Sequence, residues 1–307
     1  YAADYACDER ELFNETVNEY DLLKELNEDY QEAIENNTIQ SSQFSEMDEK
    51  ELDLIVNYQD YFDEQAKLLQ TWTDEQLQFM GYTEEQIETI RNYSGSEVER
   101  ASISSDCSVK AVVESYTHSS SGSKATVKAW FNWNGVHSNM FDDIYSVTWD
   151  YPLMEKSSSA YVKYKNPDKG YIKQYDKTPK VEGLRGASIT FPKCKTIYHS
   201  ESPSFAGTYY ISGGAITVNV EAKANVLDFV VYSKYGYGRS AVTPSVTFPA
   251  GAGISYSSLI DEICMEYNQI MIIKNDVLFK MSQLLRIVGF LLALCNLIVM
   301  GQEESKE

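Results

Sequence analysis

The sequence predicts an α+β protein with several domains: an acidic helical N-terminal region, an antiparallel β-sandwich and a C-terminal hydrophobic helix. Three observations lead to this fold class. Apolar residues recur at three- and four-residue steps in the first third and at every second position in the middle. Residues 1–100 hold 27 acidic and 6 basic side chains, whereas the whole chain has a net charge of -20. The end of the chain is rich in Ile, Leu and Met. We place the domains at 1–100, 101–257 and 258–307.

The first helices are predicted over residues 8–36 and 46–71. The pair Asn36-Asn37 ends the first, and Ser45 stands where it can cap the second. Their carboxylates are expected on solvated faces, with the apolar residues on the opposite side. The acidic surface repels phosphate, so we exclude nucleic acid as a partner.

Two shorter helices are predicted at 73–80 and 83–92. Thr73 and Thr83 each stand three residues before a Gln, which is the capping-box pattern. Gly81 between them suits a helix end in the left-handed region. The Ser-rich stretch 94–107 is predicted to be a linker.

Strands are predicted from alternating apolar and polar residues after this linker. Segments 109–113 and 125–133 form a hairpin around the turn 119–123. Gly213-Gly214 is predicted to be the turn of a later hairpin. Further strands are expected at 145–149, 160–165, 170–175, 187–191, 208–212, 215–222, 227–234 and 241–248. Many short strands with regular turns are typical of an antiparallel sandwich.

The tail carries an uncharged run, Ile287–Met300. As a helix it would span about 21 Å, which is shorter than a bilayer core of about 30 Å. Three interpretations stay open: a membrane anchor contacting lipid through 284–301, a buried or partner-binding helix, and a reading-frame artefact.

Few residues suggest a chemical centre. His118, His137 and His199 fall at predicted turns or strand ends and are expected to face solvent. No nucleophile motif surrounds them. We therefore predict no catalytic residue.

Acidic and Cys residues suggest only weak sites. Asp142, Asp143 and Asp150 are expected in turn and cap roles, with a calcium site or glycoside hydrolysis as alternatives. The five Cys lack metal-binding spacing. A disulfide among Cys7, Cys107 and Cys194 is an open alternative, and Cys295 in its apolar run is expected to be inert. We therefore predict no metal and no cofactor.

Aromatic residues give the better indication of function. Trp130 falls on the polar face of its strand, and Tyr161 has the opposite parity to its apolar neighbours. Tyr235 and Tyr237 fall in a Gly-containing loop that is predicted to be a β-turn. Exposed Trp and Tyr stack on sugars or anchor protein partners. These four are the predicted ligand-binding residues, with core packing of Trp130 as the alternative.

The pair of short helices at Thr73–Tyr93, followed by Phe131-Asn-Trp133 and by Asp143 and Trp149, resembles uncharacterised exported proteins of Gram-positive bacteria. The resemblance covers roughly residues 70–250 and implies no activity, catalytic residue or ligand.

Three functional hypotheses follow. The first is a non-enzymatic exported or surface-displayed protein, extracellular or anchored at the cell surface, that binds a glycan or a protein through its β domain. The second is a membrane-active protein whose β domain docks on lipid and whose C-terminal segment inserts. The third is a carbohydrate-active hydrolase that uses carboxylates near Asp142 and Asp143.

Overall fold

The computed structural model divides the chain into two compact units, residues 1–269 and 270–307. It describes residues 16–47, 49–137, 141–150, 152–182, 185–199, 202–226, 228–238, 244–249, 253–256 and 260–271. Apart from the last two residues of one strand, everything described belongs to the first unit.

Six α-helices lie near the start of the described chain. They are α1 (Glu19–Glu35), α2 (Glu49–Val56), α3 (Tyr58–Gln70), α4 (Asp74–Met80), α5 (Glu84–Arg91) and α6 (Glu97–Ile103). The Asn18 side chain caps α1 by accepting from the backbone N–H of Tyr20 at 3.0 Å. Asn36 ends α1, and Asn37 follows with a left-handed φ of 55°. The predicted stop at this Asn pair is confirmed.

The capping boxes of α4 and α5 form as the sequence predicts. Thr73 accepts from the Gln76 backbone N–H, Thr83 does the same for Gln86, and each Gln side chain accepts from its threonine's own N–H. Gly81 ends α4 with φ 108°.

Two helix predictions are wrong. The predicted helix 46–71 is divided at Asn57 into α2 and α3. Ser45, the predicted cap of this helix, instead lies inside a 3-10 turn, Gln43–Glu46, that Ser42 caps. The predicted linker 94–107 contains α6, which begins with a third capping box between Ser96 and Glu99. This box satisfies the same N-terminal amides as the other two, although its Ser- and Gly-rich surroundings are typical of a loop.

Strands make up most of the rest. They are β1 (Thr16–Asn18), β2 (Asp106–Ser119), β3 (Gly122–Asn134), β4 (Asp142–Trp149), β5 (Met154–Asn166), β6 (Tyr171–Lys177), β7 (Lys180–Glu182), β8 (Gly186–Pro192), β9 (Cys194–His199), β10 (Ser202–Ala222), β11 (Asp228–Gly238), β12 (Val246–Thr247), β13 (Ser255–Tyr256) and β14 (Ile260–Met271). The first sheet has the order β1-β2-β3-β10-β5-β6, and β9 also pairs with β10. The second has the order β14-β11-β4-β8-β7, while β12 and β13 form a small pair. Every pairing with a described register is antiparallel.

The two large sheets pack against each other through aromatic side chains. The Phe131 ring of the first sheet stacks on Phe191 of the second, with centroids 4.9 Å apart. Trp133 meets Tyr235 across the same interface at 5.6 Å. The helices add an apolar cluster in which Trp72 contacts Tyr210 of β10. The predicted α+β class with antiparallel sheets is confirmed.

The predicted hairpin turn at Gly213-Gly214 is wrong, because β10 runs through it as one strand with a bulge between Ile211 and Gly213. A Cβ on Gly213 would lie 2.8 Å from the Phe131 carbonyl oxygen, and one on Gly214 would lie 2.7 Å from the Phe131 ring. These glycines permit close approach of a neighbouring strand instead of forming a turn.

The first part of the predicted helical tail is a strand. Ile260–Met271 forms β14 beside β11, so the helix prediction is wrong for these residues. The segment mixes Ile, Met and Tyr with Asp, Glu, Asn and Gln, so its pattern alone does not separate a strand from a helix, and pairing with β11 makes it a strand. The candidate anchor 284–301 lies outside the described residues. None of the helices in the described ranges is both long and apolar enough to cross a bilayer.

Candidate functional site

Trp130 and Tyr161 lie on one level of the first sheet, on the face turned away from the second. Trp130 of β3 pairs with Ala215 of β10, and Ala215 pairs with Tyr161 of β5. Paired residues in a sheet project to the same face, so the two aromatic side chains flank the small Ala215. Strands are about 4.8 Å apart, which separates β3 and β5 by roughly 10 Å. Trp130 and Tyr161 are both half-buried.

The neighbouring level completes a pocket between these rings. There Gly213 pairs with Asn132 on one side and with Lys163 on the other. Ala215, directly between the two rings, is covered, but Gly213 has no side chain, so the sheet surface next to the rings stays open. The pocket has a volume of about 210 Å³. We call it the aromatic slot; its lining residues are Lys128, Trp130, Asn132, Tyr161, Lys163, Ser212, Gly213 and Gly214.

Lysines surround both aromatic walls. The Nζ atoms of Lys110 and Lys128 lie 5.5 and 6.0 Å from the Trp130 ring centroid. The Nζ of Lys163 lies 5.1 Å from the Tyr161 ring. An ammonium group at such distances is attracted to the negative face of the ring. The slot therefore combines apolar faces with positive charge, and none of its lining residues is acidic.

The expectation that Tyr235 and Tyr237 are exposed is wrong, because both are completely buried. Residues 235–238 continue β11 and form no turn, which directs the two tyrosines to the same inner face. Gly238 allows close packing on β4, since a Cβ there would lie 1.8 Å from the Asp142 carbonyl oxygen. Tyr235 donates its hydroxyl to Asp143.

His137 is also fully buried, contrary to the expected exposure. Its Nδ1 lies 2.8 Å from Glu19 Oε1 and its Nε2 lies 2.9 Å from Asp143 Oδ2. Two carboxylates can both be satisfied only if both ring nitrogens donate, so His137 is an imidazolium. Burial lowers the pKa of His137, but the negative charges of Glu19 and Asp143 raise it by a larger amount, so the pKa lies above its usual value. The Trp133 ring stacks on the imidazolium at 3.9 Å.

Lys193 completes this buried arrangement. Its Nζ lies 2.7 Å from Asp143 Oδ1 and donates to the Gly238 carbonyl at 2.6 Å. Burial raises the pKa of the Asp143 carboxyl, but Lys193 and His137 lower it more. Burial also raises the pKa of Glu19. The charge of His137, together with the hydrogen bonds that Glu19 accepts, lowers this pKa by more, so it lies below its usual value. Burial keeps the pKa of Lys193 below its usual value despite Asp143.

We call Glu19, His137, Asp143 and Lys193 the buried charge cluster. It contains two anions and two cations, and all four side chains have no solvent exposure. Through His137 it joins Glu19, the first residue of α1, to Asp143 of the second sheet, and Tyr237 of β11 donates to Glu19 at 2.8 Å. All four groups are closed to a substrate in this conformation, and their ion pairs connect α1 with β4.

The other candidates do not form a site. Asp142 and Asp150 lie at opposite ends of β4, roughly 25 Å apart for an extended chain, so the three carboxylates do not converge. His118 is half-buried and its Nδ1 lies 2.9 Å from Asn225 Oδ1. The side chain of His199 and all of Cys7 lie outside the described residues. In the part of the chain that is described, no group of three or more His, Cys, Asp or Glu is placed to hold a metal ion.

The alternation rule could have identified more of the aromatic slot. Lys128 and Asn132 stand two residues on either side of Trp130, and Lys163 stands two residues after Tyr161. They therefore share the outward parity of the predicted ligand residues. The assignment of Trp130 and Tyr161 to ligand binding stays a prediction.

No protein-family model matches the sequence, and no curated protein matches it. Among solved structures, the chain is similar to one described as a pore forming protein, with 10% identity over 54% of this chain and 85% of that chain and a TM-score of 0.26. It is also similar to the Clostridium perfringens NetB toxin in the membrane inserted form, with 10% identity, 54% and 89% coverage and a TM-score of 0.23. The Clostridium perfringens delta-toxin gives 8% identity, 54% and 83% coverage and a TM-score of 0.19. Scores at this level do not establish a shared fold.

Proposed function

We propose that the chain is an exported, non-enzymatic binding protein that recognises a glycan at the aromatic slot. The observation that carries the proposal is the placement of Trp130 and Tyr161 on either side of a floor of small residues. Aromatic faces pack against the C–H faces of sugar rings, while polar groups at the edge bind the hydroxyls. Asn132 and Ser212 supply such groups.

The size of the slot favours a sugar unit over a folded protein partner. Its volume of about 210 Å³ is below the roughly 300–1,000 Å³ of pockets for drug-sized ligands. A stable protein interface needs about 800 Å² on each partner, far more than one slot between two strands. A single ring, as part of a longer glycan chain, fits this dimension.

A glycan array followed by calorimetry on the bound glycans tests the proposal. Trp130→Ala and Tyr161→Ala should each weaken binding about tenfold or more, because each removes one stacking wall. Tyr171→Ala is the matched control: Tyr171 lies on β6 of the same sheet, is 54% exposed and does not line the slot. It should bind as the unchanged protein does.

Two results would reject the proposal. One is an array on which no glycan is bound. The other is unchanged affinity in a Trp130→Ala variant whose circular dichroism and melting temperature match those of the unchanged protein.

A second candidate function is attachment to a membrane surface. The observation in its favour is an exposed pair on the edge strand β6, Tyr171 at 54% and Ile172 at 57%. An aromatic and an aliphatic side chain next to lysines can insert at a lipid interface. Liposome flotation of the full chain and of Ile172→Asp tests this function. Equal flotation of the two proteins, or no flotation of either, would reject β6 as a docking site.

A further inference from the structure

We infer that the glycan bound in the aromatic slot is acidic: the sugar unit that contacts Trp130 and Tyr161 carries a carboxylate or a sulfate. This inference rests on the proposed function and names the class of glycan. It depends on the charges around the slot, which glycan binding in general does not need.

The charged groups that line the slot are all positive. They are Lys128 and Lys163, one beside each aromatic wall. Lys110 adds a third ammonium on the far side of the Trp130 ring. Within the described ranges, Lys110 and Lys163 form no ion pair.

Carboxylates nearby leave this charge largely uncompensated. Glu114 lies 3.2 Å from the Nζ of Lys128, and both side chains are more than a third exposed. An ion pair so exposed to water is weak and can be replaced by a ligand anion. Asp176 lies across from Tyr161 on β6, outside the slot lining. The lining itself therefore remains positive.

The same geometry disfavours the other ligands that aromatic walls attract. A quaternary ammonium ligand would stack on Trp130 or Tyr161 but would meet the ammonium groups that already lie near these rings. A neutral sugar would leave Lys110 and Lys163 without an anionic partner, and Lys128 with Glu114 alone. An acidic sugar satisfies both features, because its ring contacts the aromatic faces and its anion accepts a charge-assisted hydrogen bond from Lys128 or from Lys163.

The probe is an oligosaccharide that contains glucuronic acid, compared with its carboxyl-reduced neutral counterpart and with a sulfated form of that counterpart. The full chain should bind the uronic or the sulfated form about tenfold or more tightly than the neutral form. Affinity for the acidic form should fall as salt is raised, while affinity for the neutral form should change little.

Variants separate the charge from the stacking. Lys128→Gln together with Lys163→Gln should reduce the preference for the acidic form to near equality, without loss of the residual stacking. Lys156→Gln is the control: Lys156 lies on β5 in an exposed pair with Glu221 and does not line the slot. Trp130→Ala should weaken the acidic and neutral forms alike.

The outcomes distinguish the inference from the proposed function. Equal binding of neutral and acidic forms, lost in Trp130→Ala, would overturn the inference and leave glycan binding intact. A preference for the acidic form that survives the double lysine variant would also overturn it. Binding of none of these forms by a protein that binds a neutral glycan on the array would overturn the inference alone, whereas an array without any bound glycan would reject both.

Discussion

Replacing His137 by Gln tests whether the buried charge cluster holds the helices and sheets together. Gln approximates the size of the imidazole and can donate to one carboxylate, but it carries no charge. Glu19 would then lose its only cation among the cluster contacts and keep the hydroxyls of Ser105 and Tyr237. Breaking a buried pair by removing one partner costs about 3–5 kcal/mol, and we expect about 3 kcal/mol for this variant.

A double-mutant cycle shows whether this loss comes from the charge pair. Glu19→Gln removes the anion, and the double variant His137→Gln with Glu19→Gln removes both charges. We expect the double variant to be more stable than the sum of the single losses allows, by at least about 1 kcal/mol. The free energy of unfolding would be measured by urea denaturation, followed by tryptophan fluorescence because Trp133 stacks on His137.

His118→Gln is the matched control, since His118 is a half-buried residue near the exposed end of β2. Its effect should be within about 0.5 kcal/mol of zero. The reasoning would be refuted if His137→Gln lost less than about 1 kcal/mol. Strict additivity of the two single variants would refute the coupling between Glu19 and His137.

Three further predictions concern stability. Gly213→Ala should lower the free energy of unfolding by about 1–3 kcal/mol, because its Cβ would lie 2.8 Å from a backbone oxygen of the next strand; a melting temperature equal to that of the unchanged protein would contradict this. Ser96→Ala should lower it by about 1 kcal/mol through loss of the cap of α6, and no change in urea denaturation would show that the cap is dispensable. The pKa values of Glu19 and Asp143 lie below their usual values. The two carboxylates therefore add to the free energy of unfolding above about pH 4, and this stabilisation is lost as the pH falls through the lowered pKa values. In Asp143→Asn the free energy of unfolding, measured by urea denaturation at a series of pH values, should fall less steeply below about pH 4. An unchanged dependence on pH would contradict the lowered pKa of Asp143.

Local signals predicted the elements that depend on neighbours in sequence. Each capping box, at Thr73 and at Thr83, is a pattern of four consecutive residues that marks the start of a helix, and both form as expected. Ser96 carries the same signal, but the surrounding Ser and Gly residues favoured a linker. The Gly213-Gly214 pair matched a turn pattern, although its real role depends on the ring of Phe131, which lies about eighty residues earlier in the chain. No local rule contains that information.

The two clusters differ in how far the sequence predicted them. The alternation of apolar and polar residues predicted that Trp130 and Tyr161 face outward. That they lie side by side follows only from the strand register, in which both pair with the same residue of β10. The buried charge cluster joins residues from 19 to 193, and its charged members are of types that usually lie at the surface. Their burial depends on mutual pairing, which appears only when the sheets and α1 are assembled.

The position of β10 between β3 and β5 also constrains the order in which the protein can fold. During synthesis the β2–β3 and β5–β6 hairpins can close from neighbouring residues, but the two walls of the aromatic slot then belong to separate pieces. They come to flank a common floor only after a strand some fifty residues beyond Tyr161 has left the ribosome and inserted between them. Pairings of such long sequence separation form late, so the slot exists only on a chain whose central sheet is complete.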